Sequence, residues 1–165
     1  MKRFFITLAM MYLVAGCAAI GPTSSPEFAT LVRSAVPQSE GEIPIVGSGN
    51  WFPNTRGFTP FGSTLLARPQ EPIPGALAVA ERSIVFMQWD DATKRFEPIK
   101  RIRFSDIESA TLDALGINRR LIIRKTDLSV DSFDFTQAGG NFIDAPQVER
   151  AVHFIQSKIT RKDSP

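Results

Sequence analysis

A small, mainly β barrel of about seven antiparallel strands, closed by one C-terminal α-helix, is the architecture this chain predicts. Three observations point to it. From Ser63 to Phe135, short apolar runs separated by polar turns recur at spacings of roughly 8–12 residues, the pattern of a sandwich or barrel. The last stretch of the chain carries a single apolar stripe at helical period. Between Ala18 and Gly62, by contrast, lie six of the 12 prolines and six of the 11 glycines, so regular structure should be sparse there.

The first element is an export signal. Lys2 and Arg3 make a positive start, Phe4 to Val14 is an almost unbroken apolar run, and small residues lead into Cys17, the only cysteine. The run is too short for a permanent membrane helix, which takes about 20 residues, and its layout is that of a secretory signal peptide. Val14-Ala15-Gly16-Cys17, with Leu13 just ahead, resembles the lipobox of bacterial lipoproteins. The resemblance implies cleavage before Cys17 and acyl chains on it, each buried methylene contributing ~0.8 kcal/mol to anchoring. Ala18 rather than Asp after the cysteine implies the periplasmic face of the outer membrane rather than the inner membrane. No cofactor is expected beyond this covalent lipid, and a lone thiol leaves no second one for a disulfide or a metal cluster.

Residues 17–62 read as the lipidated cysteine, a tether and a partly docked extension. Within it, residues 26–36 predict a short amphipathic helix. Ser24 and Glu27 have capping-box spacing, Phe28, Leu31, Val32, Ala35 and Val36 form one face, and Pro37 ends it. So short a helix is marginal alone and should dock. The following "GSGNWFPNTRGFTPFG" reads as a loop whose aromatics seal the domain, with Trp51 and Phe52 as candidates for an exposed partner surface.

Residues 63–160 read as the folded domain, and 161–165 as a tail. Its expected strands are "STLLA", "GALAVAE", "SIVFMQW", "FEPIKRIRF", "IESATLDAL", "RRLIIRK" and "SVDSFDF". Asp144 is a natural N-cap for the closing helix, with Pro146 in its first turn. Val148, Ala151, Val152, Ile155 and Ile159 make its apolar stripe, and Lys158, Arg161 and Lys162 suit the negative end of its dipole.

"GALAVAERSIVF", Gly75 to Phe86, resembles the signature of GRAM and bacterial PH-like domains. Gly75, Leu77, Val79, Ile84, Val85 and Phe86 match, with Arg82 at a usual basic position. Ala80 stands where a threonine is usual, and Ser83 where a second basic residue is. Asp106-Ile107 resembles the step that opens a later strand of these domains. The resemblance implies a pleckstrin-homology-like barrel that binds a lipid headgroup, a peptide or a protein. Its lipid-binding members use a basic loop between the first two strands. Here that connection is read as "RPQEPIPG", one Arg against one Glu, so phosphoinositide binding does not carry over.

Charge narrows the partners. The formal +2 of the whole chain comes from Lys2 and Arg3; without residues 1–16 there are 17 basic and 17 acidic residues, giving no reason to expect nucleic acid. A local excess remains in Lys94, Arg95, Lys100, Arg101, Arg103, Arg119, Arg120, Arg124 and Lys125. If the middle strands pair as neighbours, these nine share one face for an acidic partner or anionic headgroups. Asp127, Asp131 and Asp134 read as a solvated strand face, without the spacing of a calcium loop. "GSGN" and "AGGN" hold too little for a phosphate loop. His153 sits off the centre of the last helix's stripe, and no nucleophile has an assignable base.

The expected function is therefore a non-catalytic interaction or scaffolding module, with no catalytic and no metal-binding residues. Its partners would be the membrane, through the anchor, and an envelope protein. The alternative is a carrier of lipid or another apolar ligand, which would need a cavity beneath the helix.

Overall fold

In a computed structural model, the structure describes residues 21–53, 71–113, 119–138 and 142–160. Cys17, the export signal, "STLLA" and the 161–165 tail lie outside them.

The chain enters through helix α1 (Phe28–Ala35) and a 3-10 turn (Gln38–Glu40). Seven strands follow: β1 (Ile45–Phe52), β2 (Ile73–Val79), β3 (Ser83–Asp90), β4 (Arg95–Arg103), β5 (Ile107–Asp113), β6 (Arg120–Lys125) and β7 (Val130–Phe133). A second 3-10 turn (Phe104–Asp106) joins β4 to β5, and helix α2 (Ala145–Thr160) ends the described chain. The strands form one antiparallel sheet in the order β4-β3-β2-β1-β7-β6-β5.

Six of the seven strands lie where the sequence predicts them. The first does not. β1 takes in "GSGNWF", expected as loop, together with Ile45 and Val46, and pairs with β2 on one side and β7 on the other. The sheet therefore includes residues assigned from the sequence to the 17–62 extension, and its centre lies outside the 63–160 boundary. Glycine is a poor strand former, but here it is required. A Cβ at Gly49 would meet the Asp134 carbonyl oxygen at 2.0 Å, because the chain after β7 crosses β1 there.

The sheet curls around one interior. Leu77, Val79, Ile84, Phe86, Ile102, Ala110, Leu121, Ile123, Phe133 and Phe135 line it, and Val148, Ala151, Val152 and Ile155 of α2 close it. The helix is as expected: the carboxylate of Asp144 accepts from the Gln147 N–H at 3.1 Å, and the predicted stripe is the buried face. A second, smaller core lies on the outer face. Ala76 and Ala78 of β2, Val85 and Met87 of β3 and Phe96 of β4 meet Val32 and Val36 there. β2 and β3 read as nearly continuous apolar runs because both of their faces are covered.

α1 falls inside the predicted 26–36 but without the predicted capping box. Glu27 is the N-cap and its side chain makes no cap bond; the Ser25 hydroxyl instead accepts from the Glu27 N–H at 3.2 Å. Packing on β4, β1 and β2 holds the helix instead. At its upstream end, Gly21 sits against the Trp89 side chain at the far end of β3.

Candidate functional site

A β-bulge decides where the basic residues of β4 point. The β3–β4 register shifts between Phe86 and Met87, which pair with Lys100 and Pro98 and leave Ile99 extra. One extra residue exchanges the two faces of a strand. Phe96 thus faces the outer core while Ile102, six residues on, faces the interior. Lys100, opposite Phe86, is turned inward with it.

Inside, Lys100 meets Asp131. Asp131 is 2% exposed. One oxygen accepts from the Trp51 indole N–H at 2.9 Å; the other lies 3.0 Å from the Lys125 ammonium and 3.4 Å from that of Lys100. The Lys100 ammonium also sits 5.4 Å from the centre of the Trp51 ring. Burial pushes the Asp131 carboxyl up, but the Trp51 N–H, Lys125 and Lys100 outweigh it and hold it below the usual aspartate value. Asp134 goes the other way. Burial outweighs the Asn50 backbone and side-chain N–H donors, at 2.8 and 2.9 Å, and the charge of Arg120, so its pKa is raised.

The acidic trio is thus not a solvated strand face. Asp131 and Asp134 are buried because their side chains fall on the covered faces of the β7 segment, and each has its own partners. Asp127 caps the β6–β7 turn by accepting from the Ser129 N–H at 2.9 Å. The three carboxylates do not converge on a common point.

The nine cations do not form one face either. β4 is an edge strand and β6 lies next to the opposite edge, so they are not neighbours. Lys100 and Lys125 converge on Asp131. Lys94 and Arg95 flank the β3–β4 turn, where Lys94 pairs with Asp91 at 3.2 Å. Arg119, Arg120 and Arg124 lie on or beside β6, with the Arg120 guanidinium stacked 3.9 Å over the Phe52 ring. Phe52 is itself buried and Trp51 half-buried, so neither forms an exposed aromatic surface; as residues of β1 they belong to the sheet.

Arg101 and Arg103 are brought to a different place. With Arg82, Lys158, Glu40, Glu81, Ser39, Phe104 and Ser105 they line an open groove of about 470 Å³. Arg82 lies in the β2–β3 turn, Arg103 ends β4 and Lys158 lies in the last turn of α2. Glu40 is fully buried, accepts from the Ser83 hydroxyl and pairs with Arg101. This clip ties the chain before β1 to β3 and β4 and fixes one wall. Sequence reasoning did not find Glu40: one acid in a polar stretch between Pro37 and Gly41 has no pattern that marks it. Arg82 and Ser83 were visible as a match to the domain signature and a departure from it.

No family model and no curated protein matches the chain. In fold it is similar to a solved structure of the Vav1 exchange factor, described as showing a critical structural role for its PH and C1 domains. The TM-score is 0.53 and the sequence identity 6%, covering 84% of this chain and 33% of that one. The chain spans about a third of that structure's length, and at this identity the likeness is one of backbone alone. The fold is PH-like: mainly β, seven antiparallel strands and a C-terminal helix.

Proposed function

We propose that the chain is an exported lipoprotein, held to the periplasmic face of a bacterial outer membrane through Cys17, whose PH-like domain is a non-catalytic docking module for an envelope protein. The observation that carries the anchor is Val14-Ala15-Gly16-Cys17 after an apolar run, and the seat of Gly21 on Trp89 limits how far such an anchor could reach. Only three residues lie between Cys17 and Gly21, so an acylated Cys17 would hold this point of the barrel within ~14 Å, four extended residue steps, of the membrane surface. The conspicuous buried polar groups also support docking over catalysis, since Glu40, Asp131 and Asp134 are committed to internal partners. A carrier would need an apolar chamber beneath α2. That space is filled by Leu77, Phe86, Phe133 and Ile155, none more than 0% exposed, which favours docking.

Growth with labelled palmitate tests the anchor. The wild type should carry label and fractionate with envelope membranes; the Cys17→Ser protein should carry none and accumulate as uncut precursor or soluble product. Label on the Cys17→Ser protein would remove the basis of the proposal.

A further inference from the structure

The groove beside the β2–β3 turn has charge to spare. Four cations line it, Arg82, Arg101, Arg103 and Lys158, against two carboxylates. Glu40 is buried and taken by Arg101 and Ser83. Glu81 lies 3.7 Å from Lys158. Arg82 donates one hydrogen bond to the Ser39 carbonyl at 3.1 Å, and neither it nor Arg103 has an ion-pair partner among the described residues. Both side chains are exposed. A guanidinium carries five N–H donors in a planar fork that fits a carboxylate with two parallel bonds. Two such groups, in a groove that Phe104 and Ser105 also line, suit carboxylate side chains spaced along an extended segment.

Position then separates a protein from a lipid surface. Arg82, in the turn just before β3, and Trp89, next to the strand's last residue, are about 23 Å apart at strand rise. Gly21, four residues after the anchor, sits at the Trp89 end. An acylated Cys17 would keep the Trp89 end within ~14 Å of the membrane; with that end at the surface, the groove at the other end stands beyond a Debye length of about 8–10 Å from the headgroups.

From this we infer that the groove of Arg82, Arg101 and Arg103 docks an acidic segment of a protein partner. The choice of protein over headgroup rests on the anchor proposed above; the groove's own preference for anions does not.

The test uses the full lipidated chain in phosphatidylcholine nanodiscs, titrated with fluorescent octaglutamate, with phosphatidylglycerol vesicles as a second probe. Octaglutamate should bind saturably, and Arg82→Glu with Arg103→Glu should weaken it at least about 10-fold while leaving the melting curve in place. The milder Arg82→Gln, Arg103→Gln pair gives the same reading if the charge reversal disturbs folding. Unchanged peptide affinity in both pairs would overturn the inference. So would phosphatidylglycerol vesicles that displace the peptide through the same two arginines, since a headgroup would then be the ligand. Repeating the titration on detergent-solubilised Cys17→Ser protein keeps the two proposals apart. Peptide binding retained there reads the groove alone, whereas palmitate labelling reads the anchor alone.

Discussion

Asp131 holds together strands that do not pair: Trp51 of β1, Lys100 of β4 and Lys125 of β6 all meet on its carboxylate. Replacing it with asparagine keeps the shape and leaves two ammonium groups facing each other. Removing one member of a fully buried pair costs about 3–5 kcal/mol. Here the lysine side chains retain 26% and 17% exposure and can turn partly to water, so Asp131→Asn should cost about 2 kcal/mol at neutral pH. The pH dependence has a definite sign. The folded pKa lies below the ordinary 3.8, so this stability is present above that value and is lost as pH falls through the folded pKa. Asp134 acts in reverse: its pKa is raised above 3.8, so its contribution declines as pH climbs through that higher folded value. Urea melts at neutral and successively more acid pH should show the gap between wild type and Asp131→Asn closing below about pH 4. A gap that persists undiminished in acid would show that the carboxylate's charge is not what the lysines need.

At the scale of elements, β1 shows what the sequence hid. A strand with a run of apolar, mostly β-branched residues and no glycine, such as β6 with Leu121-Ile122-Ile123, is legible from its own residues. β1 is not, because its glycines answer to a distant segment: the Asp134 carbonyl approaches Gly49 from a position 85 residues later in the chain. The oxygen belongs to backbone and cannot swing aside. Gly49→Ala should therefore cost about 3 kcal/mol or more, at or beyond the upper range for overpacking, measurable as a large fall in the denaturant midpoint. A midpoint within about 0.5 kcal/mol of wild type, the range of neutral surface changes, would mean that β1 does not run against that carbonyl. The same non-locality hid the candidate groove. Its cations could be counted in the sequence, but the bulge at Ile99 that aims Lys100 inward, and the Glu40–Arg101 clip, exist only once β3, β4 and the chain before β1 are assembled. The cap and the stripe of the closing helix were legible because both are local.

For the whole molecule, the order of the sheet means that the N-terminal segment belongs to the folded body. A chain beginning at Ser63 lacks β1 and α1. It would leave β2 and β7 without their shared partner and the outer faces of Ala76, Ala78, Val85 and Met87 uncovered. It should show no cooperative thermal transition, whereas a chain beginning at Ala18 should melt as the mature protein does; a sharp transition in the Ser63 version would place β1 outside the folding unit. The route of the chain from Gly21 to Glu40 has a mechanical side as well. Tension arriving from the N-terminus meets the Gly21–Trp89 contact first, then α1 lying on β4, β1 and β2, then the Glu40 clip to Ser83 and Arg101. A load applied at the N-terminus and resisted at the arginine groove runs along this one strap, while β5, β6, β7 and α2 lie off its line. The strap works like the strain relief where a cable enters a housing: side-chain contacts that can re-form give way before the hydrogen bonds of the central strand are loaded.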